Sequence, residues 1–263
     1  MRHRILQMYV AVALVAVGLV ITSQSLAQSK VQGNQLAFEV ASVKPSTPGG
    51  RGGGIRPMPG GQTYIATNVP LRLMIKVMYR INDSQIVGGT DWMDTDLWDV
   101  EAKAERPSSV DQLHEMFQTL FAERFKLRFH RERKEIAAYV LSVDKSGSKL
   151  KVSDSKEPFD IPIKPGDRPG KSVGTRVPME YLCFYFAQLL NVPVVDQTGL
   201  DGFYDFTLEL PAPAPLLTPG PAPAADGPDL FAAIRQQLGL KLESRKAPVE
   251  VFVIDHVERP TNN

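Results

Sequence analysis

The chain has 263 residues, 30 Lys and Arg against 29 Asp and Glu, and 43% hydrophobic residues. That length holds one large or two small domains, and the near-zero net charge argues against a polybasic binder of nucleic acid or anionic membrane. The single cysteine excludes an internal disulfide framework and a Cys-rich zinc site, and the four histidines, none close to another in sequence, supply no local metal motif.

Residues 1–27 read as a secretory leader. Arg2 and Arg4 make a basic start, an apolar run extends from Tyr9 to Ile21, and Ser25-Leu26-Ala27 sets small residues at the first and third positions before a cut. The run is short for a membrane span, which takes about 20 apolar residues. An uncleaved anchor is the alternative, because Ile5–Ile21 is mostly apolar. No cysteine follows the run, so a lipoprotein anchor is excluded. Cleavage after Ala27 removes Arg2 and Arg4 and leaves 28 basic against 29 acidic residues, a net charge of −1, on a periplasmic or secreted chain.

Residues 28–37 are polar and expected to be loose. Phe38–Val43 alternates as a strand that Pro45 ends. The glycine-rich stretch 49–61 lacks both the Lys-Ser/Thr ending of a phosphate loop and the spacing of a dinucleotide fingerprint, so it reads as a connector. Thr63–Ala66 is a short strand. Asn68 is the expected helix cap, with Pro70 in the first turn and Leu71, Met74, Ile75 and Met78 on one face. Gln85–Val87 and Trp98–Ala102 are strands. Ser109 and Gln112 form a capping-box pattern ahead of a helix whose stripe is Leu113, Met116, Phe117, Leu120 and Phe121. Lys126–Arg131 and Ile136–Val143 read as two strands joined by the charged turn Glu132–Glu135. Residues 153–174 read as a linker.

A second unit follows over 175–260. Pro178 opens a helix carrying Leu182, Cys183, Phe186 and Leu190. Val194-Val195 and Tyr204–Leu210 are strands, and 211–228 is a Pro/Ala-rich exposed loop. Leu230, Phe231, Ile234 and Leu238 form a helix capped by Gly239. Leu240–Ser244 and Val249–Ile254 are closing strands. Each half thus runs strand, helix, strand, strand, helix, strand, strand. Val69-Pro70-Leu71 matches Val177-Pro178-Met179, and Trp98-Asp99-Val100 matches Tyr204-Asp205-Phe206. Lys126-Leu127 is set against Lys241-Leu242, Arg133-Lys134 against Arg245-Lys246 and Val143-Asp144 against Ile254-Asp255. The expected fold is α+β: two related units, 38–152 and 175–260, each with two helices on a mostly antiparallel sheet.

Five segments together carry a family resemblance: Phe38–Pro45 (FEVASVKP), Ile86–Gly89 with Trp92, Leu120–Arg131 (LFAERFKLRFHR) with Tyr139, Val194–Leu200 (VVDQTGL), and Val253–Pro260 (VIDHVERP). The ordered set resembles the domain of unknown function 3738 family, a soil-associated family expanded in acidobacterial genomes, over nearly all of the chain beyond the leader. The resemblance implies an exported protein and no established activity. Some members join this domain to a membrane-embedded sensor metallopeptidase, whose His-Glu-x-x-His motif has no counterpart here. In architecture each half also resembles the short N-terminal module of secretins and TonB-dependent receptors, which binds periplasmic partners.

Candidate chemistry is sparse. Asp196-Gln197-Thr198-Gly199 is similar to the Asp-Thr-Gly of aspartic proteases with one residue inserted, and reads better as a side-chain-bonded turn. Asp255 and His256 are neighbours in a strand and point to opposite faces, and no Gly-x-Ser-x-Gly elbow supplies a nucleophile. His130 is expected on a solvated strand face, His114 on a helix flank, and Cys183 and Trp98 in the core. No catalytic, cofactor or metal residue is assigned. Trp92, on a turn-rich segment, is a candidate partner anchor, or else a lid over the core. Arg128 and Arg131, within the basic run Arg124–Lys134, are candidates for an acidic partner. The leading expectation is a non-enzymatic exported binding module that docks an envelope or secreted protein, with strand addition at sheet edges as one route. A hydrolase of envelope or extracellular polymers using Asp196 with His256 or His130 is the alternative, and a membrane-anchored sensor ectodomain the second.

Overall fold

The computed structural model describes residues 36–47, 53–156, 161–210 and 228–261. The leader, residues 28–35 and the Pro/Ala-rich stretch 211–227 lie outside them. In chain order the first half runs β1 (Val40–Pro45), β2 (Gly54–Pro57), β3 (Thr63–Pro70), α1 (Leu71–Tyr79), β4 (Ile86–Gly88), the short turn α2 (Trp92–Thr95), β5 (Leu97–Lys103), α3 (Val110–Arg124) and β6 (Arg128–Val143). The second runs β7 (Lys151–Val152), β8 (Ile163–Pro165), β9 (Lys171–Pro178), α4 (Met179–Leu190), β10 (Val194–Asp196), β11 (Phe203–Glu209), α5 (Pro228–Ala233) with a π-turn Ile234–Leu238, and β12 (Leu240–His256).

The class is α+β, with mostly antiparallel strands in three four-stranded sheets. One is β1-β5-β3-β2, one is β7-β11-β9-β8, and a central one is β10-β6-β12-β4. The outer sheets share one strand order. In each, the third strand ends in Val-Pro and passes into a helix whose N-cap is that proline, at φ −75° for Pro70 and φ −74° for Pro178. Asn68, the expected cap, instead takes a left-handed backbone at φ 53°. Its N–H is bound by the Asp99 carboxylate at 2.8 Å, which fixes a bulge in β3. Arg176 does the same in β9, at φ 53° with its N–H on Asp205 Oδ1 at 2.8 Å.

The central sheet combines strands from both halves of the chain. Arg128–Arg131 and Ile136–Val143 belong to one continuous strand, which Lys126 and Leu127 precede, and Leu240–Ser244 and Val249–Ile254 belong to another. The charged run Glu132–Glu135 is no turn. There β6 and β12 satisfy each other's backbone as an antiparallel ribbon, so polar side chains stand in water without breaking the ladder. Arg131 meets Glu250 at 3.2 Å and Lys134 meets Glu132 at 2.9 Å along it. Each strand begins in one lobe and ends in the other. Phe129 and Ile254 pack on the first core, which includes Phe252; Leu141, Leu240 and Leu242 belong to the second.

Each core grows from helix stripes. Ser109 and Gln112 close the capping box on α3. The buried face of that helix feeds an aromatic column through Phe117, Phe121 and Phe125 to Trp98, with neighbouring centroids 5.5–6.1 Å apart. Such contacts add roughly 0.5–1.5 kcal/mol each beyond burial. In the second lobe α4 buries Leu182, Cys183 and Phe186. The lobes meet at buried Asn82, whose side-chain amide donates to the Ala187 carbonyl of α4 at 3.2 Å.

Three further expectations are corrected. The connector 49–61 holds β2, paired with β3. The linker 153–174 holds β8 and the start of β9, because two short polar strands with Pro and Gly between them mimic loop composition. The match of Lys126 with Lys241 slips by two residues: the left-handed residue ending α3 is Lys126 (φ 51°), and its counterpart after the π-turn is Gly239 (φ 64°).

Gly239 is required sterically as well. A Cβ there would stand 2.1 Å from the Gly147 carbonyl oxygen, because the 144–149 turn wraps this position. Gly239→Ala is expected to cost about 2–4 kcal/mol in a denaturant melt. Gly54→Ala, whose Cβ meets nothing within 4 Å, is expected to stay within about 1 kcal/mol of the parent. Equal midpoints for the two variants would refute the close approach at Gly239.

Candidate functional site: the cleft between the lobes

The structure separates the three residues the sequence nominates. Trp92 lies half-buried on the first core, stacked on Phe125 at 6.5 Å with the Arg259 guanidinium 5.2 Å from its ring. It is the lid of the alternative reading. Arg128 and Arg131 stand on one strand at an odd spacing and so point to opposite faces. Arg131 lies 4.9 Å over the Phe252 ring and borders a cleft; Arg128 is exposed beside His256.

The candidate catalytic sets do not assemble. Asp196 pairs with Leu141 on β6, whereas His256 pairs with Arg128. The strand positions between, at about 3.3 Å each, set them roughly 40 Å apart. His130 sits near the His256 end, opposite Val253. It is exposed and bonded to Asp255 at 2.8 Å and Glu132 at 3.1 Å. Those bonds, the Glu132 one first, raise its pKa. Asp196 caps a turn instead: its Oδ1 accepts from the Thr198 N–H and hydroxyl at 2.8 and 2.7 Å, and Gly199 supplies φ 67°. Cys183 is 6% exposed and burial pushes its thiol pKa up, which holds it protonated. Among the described residues no group of three His, Cys, Asp or Glu side chains is placed to hold a metal.

What the fold does build is a cleft where the lobes meet. One cavity of about 280 Å³ lies between the N-terminal turn of α3 and the edge of the β8–β9 sheet, lined by Arg80, Ser109, Asp111, Lys164, Arg176 and Phe203. A second, of about 530 Å³, is bordered by Arg80, Asp111, His114, Arg131, Glu180 and Glu250. Arg80 and Asp111 line both. Arg80 is the left-handed residue that ends α1 (φ 52°). Its guanidinium pairs with Asp111, lies 3.8 Å from Glu180 and stacks over Tyr181 at 5.2 Å. Arg176 reaches the same cavity from β9. Its Nη1 donates to the Ser155 carbonyl at 2.8 Å and its guanidinium lies 4.3 Å over Phe203. Both cations are held by packing before any ligand arrives.

Neither arginine stands out in the sequence by motif. The signal was available in the matched halves: Asn68-Val-Pro faces Arg176-Val-Pro, and the two differ only at the first residue. His114, behind the second cavity, is a core histidine. It is 6% exposed and bonded through Nε2 to the Tyr64 hydroxyl at 3.1 Å, and among the described residues its Nδ1 has no partner. Burial, reinforced by Arg80, pushes its pKa down to about 4. Burial also raises that of Tyr64. The pair is a neutral hydrogen bond in an apolar setting.

Fold and cleft define an α+β protein of two lobes tied by exchanged strands, with a polar, arginine-bearing cleft between them. The chain belongs to the family described as protein of unknown function (DUF3738), matched over residues 72–257. No curated protein and no solved structure matches it.

The His114 environment makes a pH prediction. The folded chain keeps His114 neutral, while an unfolded chain protonates it near 6.5. Its contribution is complete above pH 6.5 and is lost as pH falls from there toward 4, by about 3 kcal/mol. Exposed His130, with its pKa raised, runs in the opposite sense. Denaturant midpoints measured from pH 7 to 4 should show this acid loss, and His114→Gln should flatten it while His130→Gln does not. An acid limb unchanged in His114→Gln would refute the assignment.

Proposed function

We propose that this protein is an exported, non-enzymatic binding module that meets an envelope or secreted protein at the cleft between its lobes. The observation that carries the reading is the pair of arginines, Arg80 and Arg176, fixed on the walls of one cavity by a carboxylate, a carbonyl and two aromatic rings. Preformed concave sites with a few oriented polar groups are where ligands bind, and fixed side chains lose little entropy when they do. Phe203, 42% exposed at the rim, supplies an aromatic contact of the kind that anchors interfaces. The edge strands β1 and β7 present Val40 and Val152, 62% and 67% exposed, and offer strand addition as a secondary contact.

Export rests on the basic start, the Tyr9–Ile21 run and the small residues before Gln28. The intact mass of the protein recovered outside the cytoplasm should correspond to a chain beginning at Gln28. A mass that retains residues 1–27 would favour the anchored sensor ectodomain instead. For the binding site, p-benzoylphenylalanine placed at Phe203 should give a saturable crosslink to an envelope or secreted protein in native extract. The same group at Leu97, 39% exposed on the other outer sheet, should give none. Equal labelling from both positions, or none from Phe203, would remove the cleft as the binding surface.

A further inference from the structure

Of the five non-glycine residues with left-handed backbones among the described residues, four form two matched pairs across the halves. Asn68 and Arg176 form the bulges before the Val-Pro that opens each first helix. Arg80 and Asn191 are the C-caps that end those helices, at φ 52° and 51°. The left-handed region disfavours residues with a Cβ, and asparagine is among the few that tolerate it, since its short amide bonds locally. In each matched pair one member is asparagine and the other arginine. Both arginines line the same cavity of about 280 Å³. A backbone requirement explains the asparagines. What sets the two arginines apart from Lys126, an exposed cation in the left-handed position matched by Gly239, is that their guanidiniums line this cavity.

The two are not equivalent. Arg80 is met by Asp111 and Glu180. Arg176 is held by a carbonyl and a ring, and among the described residues no carboxylate contacts its guanidinium. A guanidinium carries five donors in a planar fork that fits a carboxylate two bonds at a time, and among the described residues one donor is in use. Beside it lie Phe203 and Val173, 42% and 36% exposed. The guanidinium lies 4.3 Å from the centre of the Phe203 ring, and Val173 lines the same cavity. A single residue that ends a chain carries both complements, an α-carboxylate and an apolar side chain two bonds away.

We propose that Arg176 is a binding residue for the C-terminal carboxylate of a partner polypeptide ending in an apolar residue, with Phe203 and Val173 receiving that side chain. The proposal rests on the cleft being the binding surface. The test is calorimetric titration of the purified chain, at low salt, with N-acetyl-Ala-Phe as the free acid, as its amide, and with N-acetyl-Asp-amide. The free acid should bind at least tenfold tighter than either amide. Arg176→Asn should abolish that preference while its Tm equals or exceeds that of the parent, because asparagine suits the backbone as it does at Asn68. Equal binding of acid and amide overturns the proposal, as does full binding by Arg176→Asn. Tighter binding of the aspartyl amide also overturns it, by assigning the fork to a side-chain carboxylate. A productive crosslink at Phe203 without acid preference leaves the cleft standing and removes only the carboxylate assignment. No crosslink at Phe203 removes the cleft itself.

Discussion

The pairing of β6 with β12 is the constraint from which the rest of the structure follows. It runs without interruption from Leu240 opposite Val143 to Ile254 opposite Phe129. Because both strands pass from one lobe to the other, each core is completed by residues from the far half of the chain. Each buried large side chain they deliver, such as Phe252 or Leu141, contributes roughly 1.5–3 kcal/mol of apolar burial. The ribbon also offers two outer edges, which β4 and β10 occupy in parallel. β10 follows α4 after three residues and β4 follows α1 after a 3-10 turn at Asp83–Gln85, so seating them brings the ends of the two helices together, where Asn82 of one side bonds Ala187 of the other. The cleft is what remains beside that meeting point.

Much of this was legible in the sequence, and the misses share a cause. The stripes of α1 and α3, the Ser109–Gln112 capping box and the Asp196–Gly199 turn are local patterns that the structure keeps, whereas the Asn68 cap gives way to a bulge. The α+β class was legible from their succession. The central ribbon was not. A strand is recognised by the alternation that a buried face imposes, and Glu132–Glu135 lies where neither face is buried. Composition therefore imitates a turn while hydrogen bonds to a distant segment make a strand. The same limit hid β2, β7 and β8, edge strands too short and too polar to carry a period.

The proposed site was hidden for a different reason. Trp92, Arg128 and Arg131 were nominated by residue type, and type does not fix location: the tryptophan is absorbed by an aromatic core and the two arginines part to opposite faces. Arg80 and Arg176, the arginines of the proposed cleft, are set apart by backbone conformation rather than by a motif. The scaffold offers the same bulge and the same helix stop in both lobes, and the two lobes fill them with different chemistry. A framework of equivalent positions thereby acquires a polarised cleft, with guanidiniums converging from two elements remote in sequence.

The exchanged strands also fix the order in which the molecule is able to close. Synthesis delivers every helix of the first lobe long before Phe252 and Ile254 exist to finish its core. The second lobe likewise lacks Leu240 and Leu242 until the end. A nascent chain therefore carries two unfinished apolar surfaces at once, with no intermediate length at which either is sealed. Pairings this remote in sequence slow closure, since chain entropy is lost before the contacts that offset it form. Completion of both cores thus waits for the final strand: a chain that stops before Leu240 lacks Phe252 and Ile254 from the first core and Leu240 and Leu242 from the second.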